Sequence, residues 1–446
     1  MEIEPSSFKD PCAFVYIENG NLFRRFSKNY IPVYQKFINS GLYERLIKEN
    51  LIIPHEEISS DTIKPEKVFI SYPWEWCFSQ LKDAALAVLK IQNIALDYDM
   101  TLKDANCFNM QFYNNKPVLI DTSSFENYTE GEPWTPYKQF CENFLAPLAL
   151  AAYKDICLSS LLLLNINGIP LELASKLLPL SSKFNLNLFT HIHLHSRLQN
   201  KYSDKTKQIN KMFISKLQLK SIIDNLIKSV ENIKLENAAT QWENYYTFTN
   251  YEEKSFQLKK NIINNYKNII RPEFVLDFGS NTGVFSRIFS EENIKVLALD
   301  FDRLAVEKNY LRSKELKETN IFPMVFDIVN PSPALGWANQ ERKTLPDRIL
   351  NADLILSLAL IHHLRFTYNI PFYKIAEYFS GIAEYLIIEF VDKKDSQVQK
   401  MLLNRKDVFD DYYEENFETE FNKFYNIKDK NRISGTERTL YLMKRK

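Results

Sequence analysis

The stretch FVLDFGSNTGVFSRIF, residues 274–289, sets two glycines four residues apart just after an apolar run that ends in Asp277. The whole chain of 446 residues has only 9 glycines, where average usage would give roughly 30. Each one that survives asks for a reason. A short apolar run, then Gly-x-x-x-Gly opening a helical pattern, reads as strand, tight turn and helix. Gly279 lets the backbone bend and approach a ligand without a Cβ in the way. Gly283 lets the helix start pack closely on the strand.

Outward from this turn, strands are predicted at 274–279, 295–300, 322–327, 353–358 and 385–391, with helical stretches between them. That alternation argues for an α/β fold with a parallel, doubly wound, Rossmann-like sheet. FYNIKDKN and RTLYLMKR, near the end, predict a closing antiparallel pair. Asp300 ends the second strand, 23 residues after Asp277, where a carboxylate can accept both hydroxyls of a ribose. Asp327 ends the third, where it can accept from an adenine amino group. Acids at three successive strand ends turn a weak glycine pair into a nucleoside-binding pattern.

On these residues, positions 240–446 resemble the class I S-adenosylmethionine-dependent methyltransferases. The first motif of that family is acid-x-Gly-x-Gly-x-Gly; here it is Asp277-Phe-Gly279-Ser-Asn281-Thr-Gly283. Asn281 replaces the middle glycine, a tolerable change because Asn also accepts left-handed backbone angles. The resemblance implies S-adenosyl-L-methionine as cofactor. It implies Asp277 near the methionine amino group, Asp300 on the ribose and Asp327 on the adenine, with Ile328 beside the base and Phe301 among the cofactor-binding residues. ADLILSLALIHHL matches the fourth-strand motif, so Ser357 and Ala359 would line the cofactor. Trp242, Tyr245 and Tyr246, ahead of the sheet, would cap it, though core packing explains them nearly as well. A dehydrogenase is disfavoured, since no diphosphate-binding GxGxxG exists.

A sulfonium is already an activated electrophile, so alignment supplies much of the rate. A base is needed only if the acceptor starts protonated. His362 and His363 follow the fourth strand, at the edge where such sheets bind ligands. Glu389 and Asp392, after the fifth, are further candidates. Each could instead be a hydrogen-bonded structural residue. NPSPALGWANQER, with Pro331, Pro333 and Trp337, is a substrate loop or a plain surface turn.

The first half is of another kind. Residues 13–27 predict a hairpin turning at Asn19-Gly20; helical patterns cover 30–49, 75–97 and most of 135–235. LKDANCFNMQFYNNKPVLID resembles the catalytic loop of protein kinases and aminoglycoside phosphotransferases: Asp104, Asn109 and Asp121 keep the spacing of the base, the amide metal ligand and the second acid. Such a set would suit Mg²⁺ on phosphates. The departures are serious. Leu102 stands where the family has His, and with only Gly20 and Gly41 before residue 130 there is no glycine-rich phosphate loop. The resemblance therefore implies a degenerate, pseudokinase-like module. Joined to it, the second half resembles bacterial methyltransferases connected by name with nodulation. THIHLHS places His191, His193 and His195 at alternate positions, which on a strand could bind metal; the helical pattern around them scatters them, and no metal is expected.

Lys+Arg and Asp+Glu balance at 56 each, which gives no global electrostatic case for nucleic acid or acidic lipid. The longest apolar runs are too short to span a bilayer, the N-terminus is unlike a signal peptide, and five cysteines without CxxC spacing read as reduced thiols. The expectation is a cytoplasmic two-domain protein, 1–235 and 236–446, that methylates a small molecule or a saccharide intermediate. Two alternatives stand: an RNA or protein methyltransferase whose first half docks the substrate, and a non-catalytic cofactor-binding regulator. The acceptor atom and the oligomeric state are left open.

Overall fold

The structure, a computed structural model, describes residues 1–197, 213–235, 253–349, 352–403 and 406–446. The chain divides into two compact units. The first is Met1–Ala238 with Pro333–Lys343; the second is Ala239–Ser332 with Thr344–Lys446.

The first unit opens with β1 (Glu2–Ile3), β2 (Ala13–Glu18), β3 (Asn21–Phe26), β4 (His55–Ser59) and β5 (Thr62–Pro65). They form one antiparallel sheet in the order β1-β2-β3-β5-β4. The hairpin expected at Asn19-Gly20 is present: both residues have positive φ, 51° and 73°, as a two-residue turn matching strand twist requires. The helical pattern over 30–49 is two helices, Ile31–Asn39 and Leu42–Lys48, because Gly41 enters the left-handed region at φ 85°. Helix Phe78–Asp97 buries twelve residues along its length. Beyond it lie the pairs β6 (Met100–Leu102) with β9 (Phe125–Asn127) and β7 (Met110–Tyr113) with β8 (Lys116–Leu119). Most of the described residues from Tyr137 to Asn232 are helical.

Residues 333–343 fall between two strands of the second unit in sequence yet belong to the first, which departs from the undivided 236–446 domain expected above. Polar contacts within the first unit account for it. Glu341 pairs with Lys9 at 2.6 Å, Lys343 with Glu4 at 3.1 Å, and the Arg342 guanidinium lies 4.1 Å from the Phe108 ring centre. Trp337 on this loop is 73% exposed.

The second unit is built on β10 (Phe274–Phe278), β11 (Lys295–Asp300), β12 (Ile321–Val325), β13 (Ala352–Ser357), β14 (Ala383–Val391), β15 (Tyr425–Arg432) and β16 (Arg438–Arg445). Its order is β12-β11-β10-β13-β14-β16-β15. The first five strands are parallel, while β16 runs antiparallel to both β14 and β15. β10, β11 and β13 are buried almost throughout, as strands covered on both faces must be. One face packs Val275, Val296, Leu354 and Leu356 against Ile262, Ile263 and Tyr266 of helix Glu253–Ile270. On the other, Phe278 stacks on Phe379 of helix Phe372–Ser380 at 5.6 Å. This is the α/β, doubly wound, Rossmann-like fold expected from the alternation. From β10 the chain winds first to β11 and later to β13 on the opposite side, so a switch point lies at the carboxyl ends of β10 and β13.

Candidate active site

A cleft opens at that switch point. Gly279, Asn281 and Gly283 all take left-handed angles, φ 76°, 50° and 75°, so Asn281 does what the middle glycine would do. The turn is held by Leu299 O, which accepts from the N–H of Gly279 at 2.8 Å and of Ser280 at 3.0 Å. A Cβ on Gly279 would meet nothing nearer than 3.7 Å, whereas one on Gly283 would lie 2.5 Å from the Asn309 amide. Conformation demands the first glycine; conformation and space together demand the second.

Three carboxylates share the cleft wall: Asp277, Asp300 and Asp327. Asp277 accepts from Ser286 Oγ at 2.5 Å. Burial pushes it up to about 7, against the relief given by Ser286 and Lys259. Asp300 accepts the N–H of Asn281 at 2.7 Å and of Asp302 at 2.9 Å; burial still lifts it to about 6. β12 ends at Val325, so Asp327 sits two residues beyond the strand, accepting the Val329 N–H at 2.9 Å. Phe301, Ile328, Ala359 and His363 also line the cleft. Ala359 holds φ 50° without being glycine, the kind of local strain that collects at functional turns.

Gly283, Ser357, His362 and Glu389 are not on the cleft wall. Gly283 shapes the turn from behind it. Ser357 is fully buried and its Oγ has no partner among the described residues. His362 is 1% exposed, beside His363 with ring centres 4.2 Å apart and the ring planes tilted by 40°. Glu389, expected as a base, is a structural ion: its carboxylate takes Lys259 Nζ at 2.7 Å and lies 3.7 Å from Arg438. A carboxylate so paired and wholly enclosed is not placed to take a proton from an acceptor. Trp242, Tyr245 and Tyr246 lie outside the described residues.

Phe256, Lys259 and Phe285 on the wall, and Leu364, Thr367 and Tyr368 on the segment after β13, were not singled out from sequence. Lys259 was the legible one. It falls on the buried stripe Ser255, Lys259, Ile262, Ile263, Tyr266 of an amphipathic helix, and a lysine there needs a partner.

In the first unit, Asp121 is engaged by Arg24, whose Nη1 pairs with its Oδ1, and it also accepts from Ser123 Oγ at 2.5 Å and Ser124 Oγ at 2.8 Å. Asn109 reaches Ser124 and Asp104 accepts from the Asn106 N–H. With Asp121 saturated by a guanidinium and two hydroxyls, this set does not fit Mg²⁺, which keeps several waters and needs free carboxylate oxygens. His191 bonds to Tyr137 and Asn225, His193 to Ser175 and Ser182. Among the described residues no group of three or more His, Cys, Asp or Glu could hold a metal.

No family model matches the chain. Among solved structures, the N-methyltransferase NodS from Bradyrhizobium japonicum WM9 is 11% identical, with a TM-score of 0.32 over 44% of this chain and 98% of that one. Magnesium protoporphyrin IX methyltransferase (ChlM) from Synechocystis, with bound SAH, is 15% identical, with a TM-score of 0.34 over 46% and 93%. WbdD is 16% identical, with a TM-score of 0.29 over 43% of this chain and 40% of that one. The nodulation protein NoeA of Rhizobium meliloti (strain 1021) is 34% identical over 382 residues, 84% of this chain and 80% of that protein. With that identity carried through both units, the chain belongs to the NoeA family of nodulation proteins.

Proposed function

We propose that the second unit is an S-adenosylmethionine-dependent methyltransferase acting on a small molecule or saccharide acceptor. The observation that carries this reading is the ring of Asp277, Asp300 and Asp327 around the Gly279–Gly283 turn on one cleft wall. The residues fit the cofactor. Asp300 is fixed by two backbone N–H groups and keeps lone pairs for vicinal hydroxyls. Asp277 offers a buried carboxylate to an ammonium group, and Asp327 with Ile328 offers an acceptor beside an apolar face. When bound, the cofactor supplies an electrophilic methyl group. The chain then has little chemistry left to do: it aligns an acceptor lone pair with that carbon and keeps water out. His363 faces the cleft and is neutral at pH 7, since burial and Arg438 hold it down at about 4; it can accept the acceptor's proton as the bond forms.

We read the first unit as a phosphotransferase-like module without phosphotransfer, on the strength of Arg24 occupying Asp121. No helix of the described residues is long and apolar enough to cross a membrane, and the five cysteines are unpaired; both suit the cytoplasmic placement we propose.

The test is calorimetry of S-adenosylmethionine on wild type and Asp300→Ala. Charge-assisted bonds to ribose are worth about 1.5–3 kcal/mol, so the variant should bind about 10- to 150-fold more weakly. Equal affinity would remove Asp300 from the site.

A further inference from the structure

The charges of the cleft constrain what can be methylated there; this inference rests on the methyl-transfer reading. Among the described residues, the wall carries Asp277, Asp300 and Asp327 against one lysine, Lys259. That lysine is already matched, with Nζ 2.7 Å from the buried Glu389 carboxylate. His363, the other basic side chain on the wall, is neutral at pH 7 because burial and Arg438 lower it. Bound S-adenosylmethionine draws Asp277 and Asp300, lifted by burial to about 7 and about 6, into the ionised form; its two cationic groups and one carboxylate then cancel one of the three aspartate charges and leave the field negative. Phe256, Phe285, Leu360, Leu364 and Tyr368 make much of the remaining wall, so there is little water to screen that field.

We propose that the acceptor presents an uncharged or cationic group, a hydroxyl or an amine on a body with an apolar face, and that the cleft rejects anionic acceptors. Phosphorylated sugars, uronates and nucleic acid are thereby excluded, for want of a cation among the described residues of the wall to meet their charge. A cationic amine first loses a proton to water; in the step itself, the lone pair of the hydroxyl or freed amine forms the new bond to the methyl carbon while the carbon–sulfur pair returns to sulfur. The acceptor's proton leaves to His363 or to water.

The test uses the full chain loaded with S-adenosylhomocysteine and three matched probes, benzyl alcohol, benzylamine and benzoate, with affinities measured by saturation-transfer NMR. The alcohol and the amine should bind, and benzoate should bind at least about tenfold more weakly. Thr367→Arg, which adds a cation at the exposed edge of the wall, should narrow that gap. Benzoate binding as tightly as the alcohol, no binding by any probe, or an unchanged gap in Thr367→Arg would each overturn the proposal. Failure of the chain to take up S-adenosylhomocysteine in calorimetry would instead bring down the methyl-transfer reading, and the proposal with it.

Discussion

Asp277 and Asp300 behave unlike surface carboxylates because burial disfavours their ionised form, lifting them to about 7 and about 6. The linkage has a definite sign. A folded pKa raised above the unfolded one stabilises the apoprotein in acid; the benefit is full below the ordinary value of 3.8, fades as pH rises above it, and is gone once pH has passed about 6 to 7. Cofactor binding runs the other way, since ribose and ammonium want the carboxylates ionised. Affinity should therefore rise between about pH 5.5 and 7.5, and Asp300→Asn should flatten the rise. A flat wild-type profile in calorimetry across that range would contradict the assignment. The two histidines separate by position. His363 lines the cleft, so His363→Ala should lower turnover about 100-fold or more while leaving cofactor affinity unchanged. His362, enclosed and off the wall, should when replaced lower the melting temperature and spare turnover. With His363 near 4, an acid limb of the rate at pH 6–7 belongs to the aspartates.

At the scale of the element, the strand–turn–helix at 274–289 works because its backbone angles and its packing demand the same residues. Gly279→Ala meets only ordinary contact with Leu360 at 3.7 Å and should cost only the left-handed penalty, about 1–2 kcal/mol. Gly283→Ala meets that penalty plus the buried Asn309 and an Arg287 already held by Glu318 through two bonds of 2.9 Å. Its loss should exceed that of Gly279→Ala by at least about 1 kcal/mol. Urea denaturation of both variants checks the order, and equal losses would show that Asn309 and Arg287 move aside freely. The turn was legible because glycine spacing after an apolar run reports local backbone geometry. The break at Gly41 was not, because the apolar pattern runs on through 30–49 on either side of one left-handed residue.

Over the whole molecule, the two units make different demands on ligands. The first holds Asp121 against Arg24, so ATP with Mg²⁺ should leave the melting profile unchanged, whereas S-adenosylmethionine at 100 times its Kd should stabilise the second unit by about 2.7 kcal/mol. A Mg²⁺-ATP shift that vanished in Asp121→Ala would restore phosphotransfer to the first unit. The second unit is held from behind its cleft by buried ions. Lys259 on helix Glu253–Ile270, Glu389 on β14 and Arg438 on β16 form a chain that Asp395 closes at 2.8 Å.

The sequence by itself determined the elements and the turn. Periodicity, strand-end acids and glycine spacing are local, so the five parallel strands, the closing pair, the Asn19-Gly20 hairpin and the set Asp277, Asp300 and Asp327 could be read from residue order. Only the tertiary structure decided which titratable groups face the cleft. Glu389 lies near the carboxyl end of β14 and His362 on the helix Ile361–Phe366 that follows β13, yet a one-residue difference along a helix or strand sends a side chain to another face. What meets them there, Lys259 in one case and the enclosed core in the other, comes from segments distant in sequence. The same holds for Arg24, 97 residues from Asp121. The motif around Asp104, Asn109 and Asp121 resembles a phosphotransferase loop whose departures already implied a degenerate module, and the guanidinium that engages Asp121 comes from a strand no motif names.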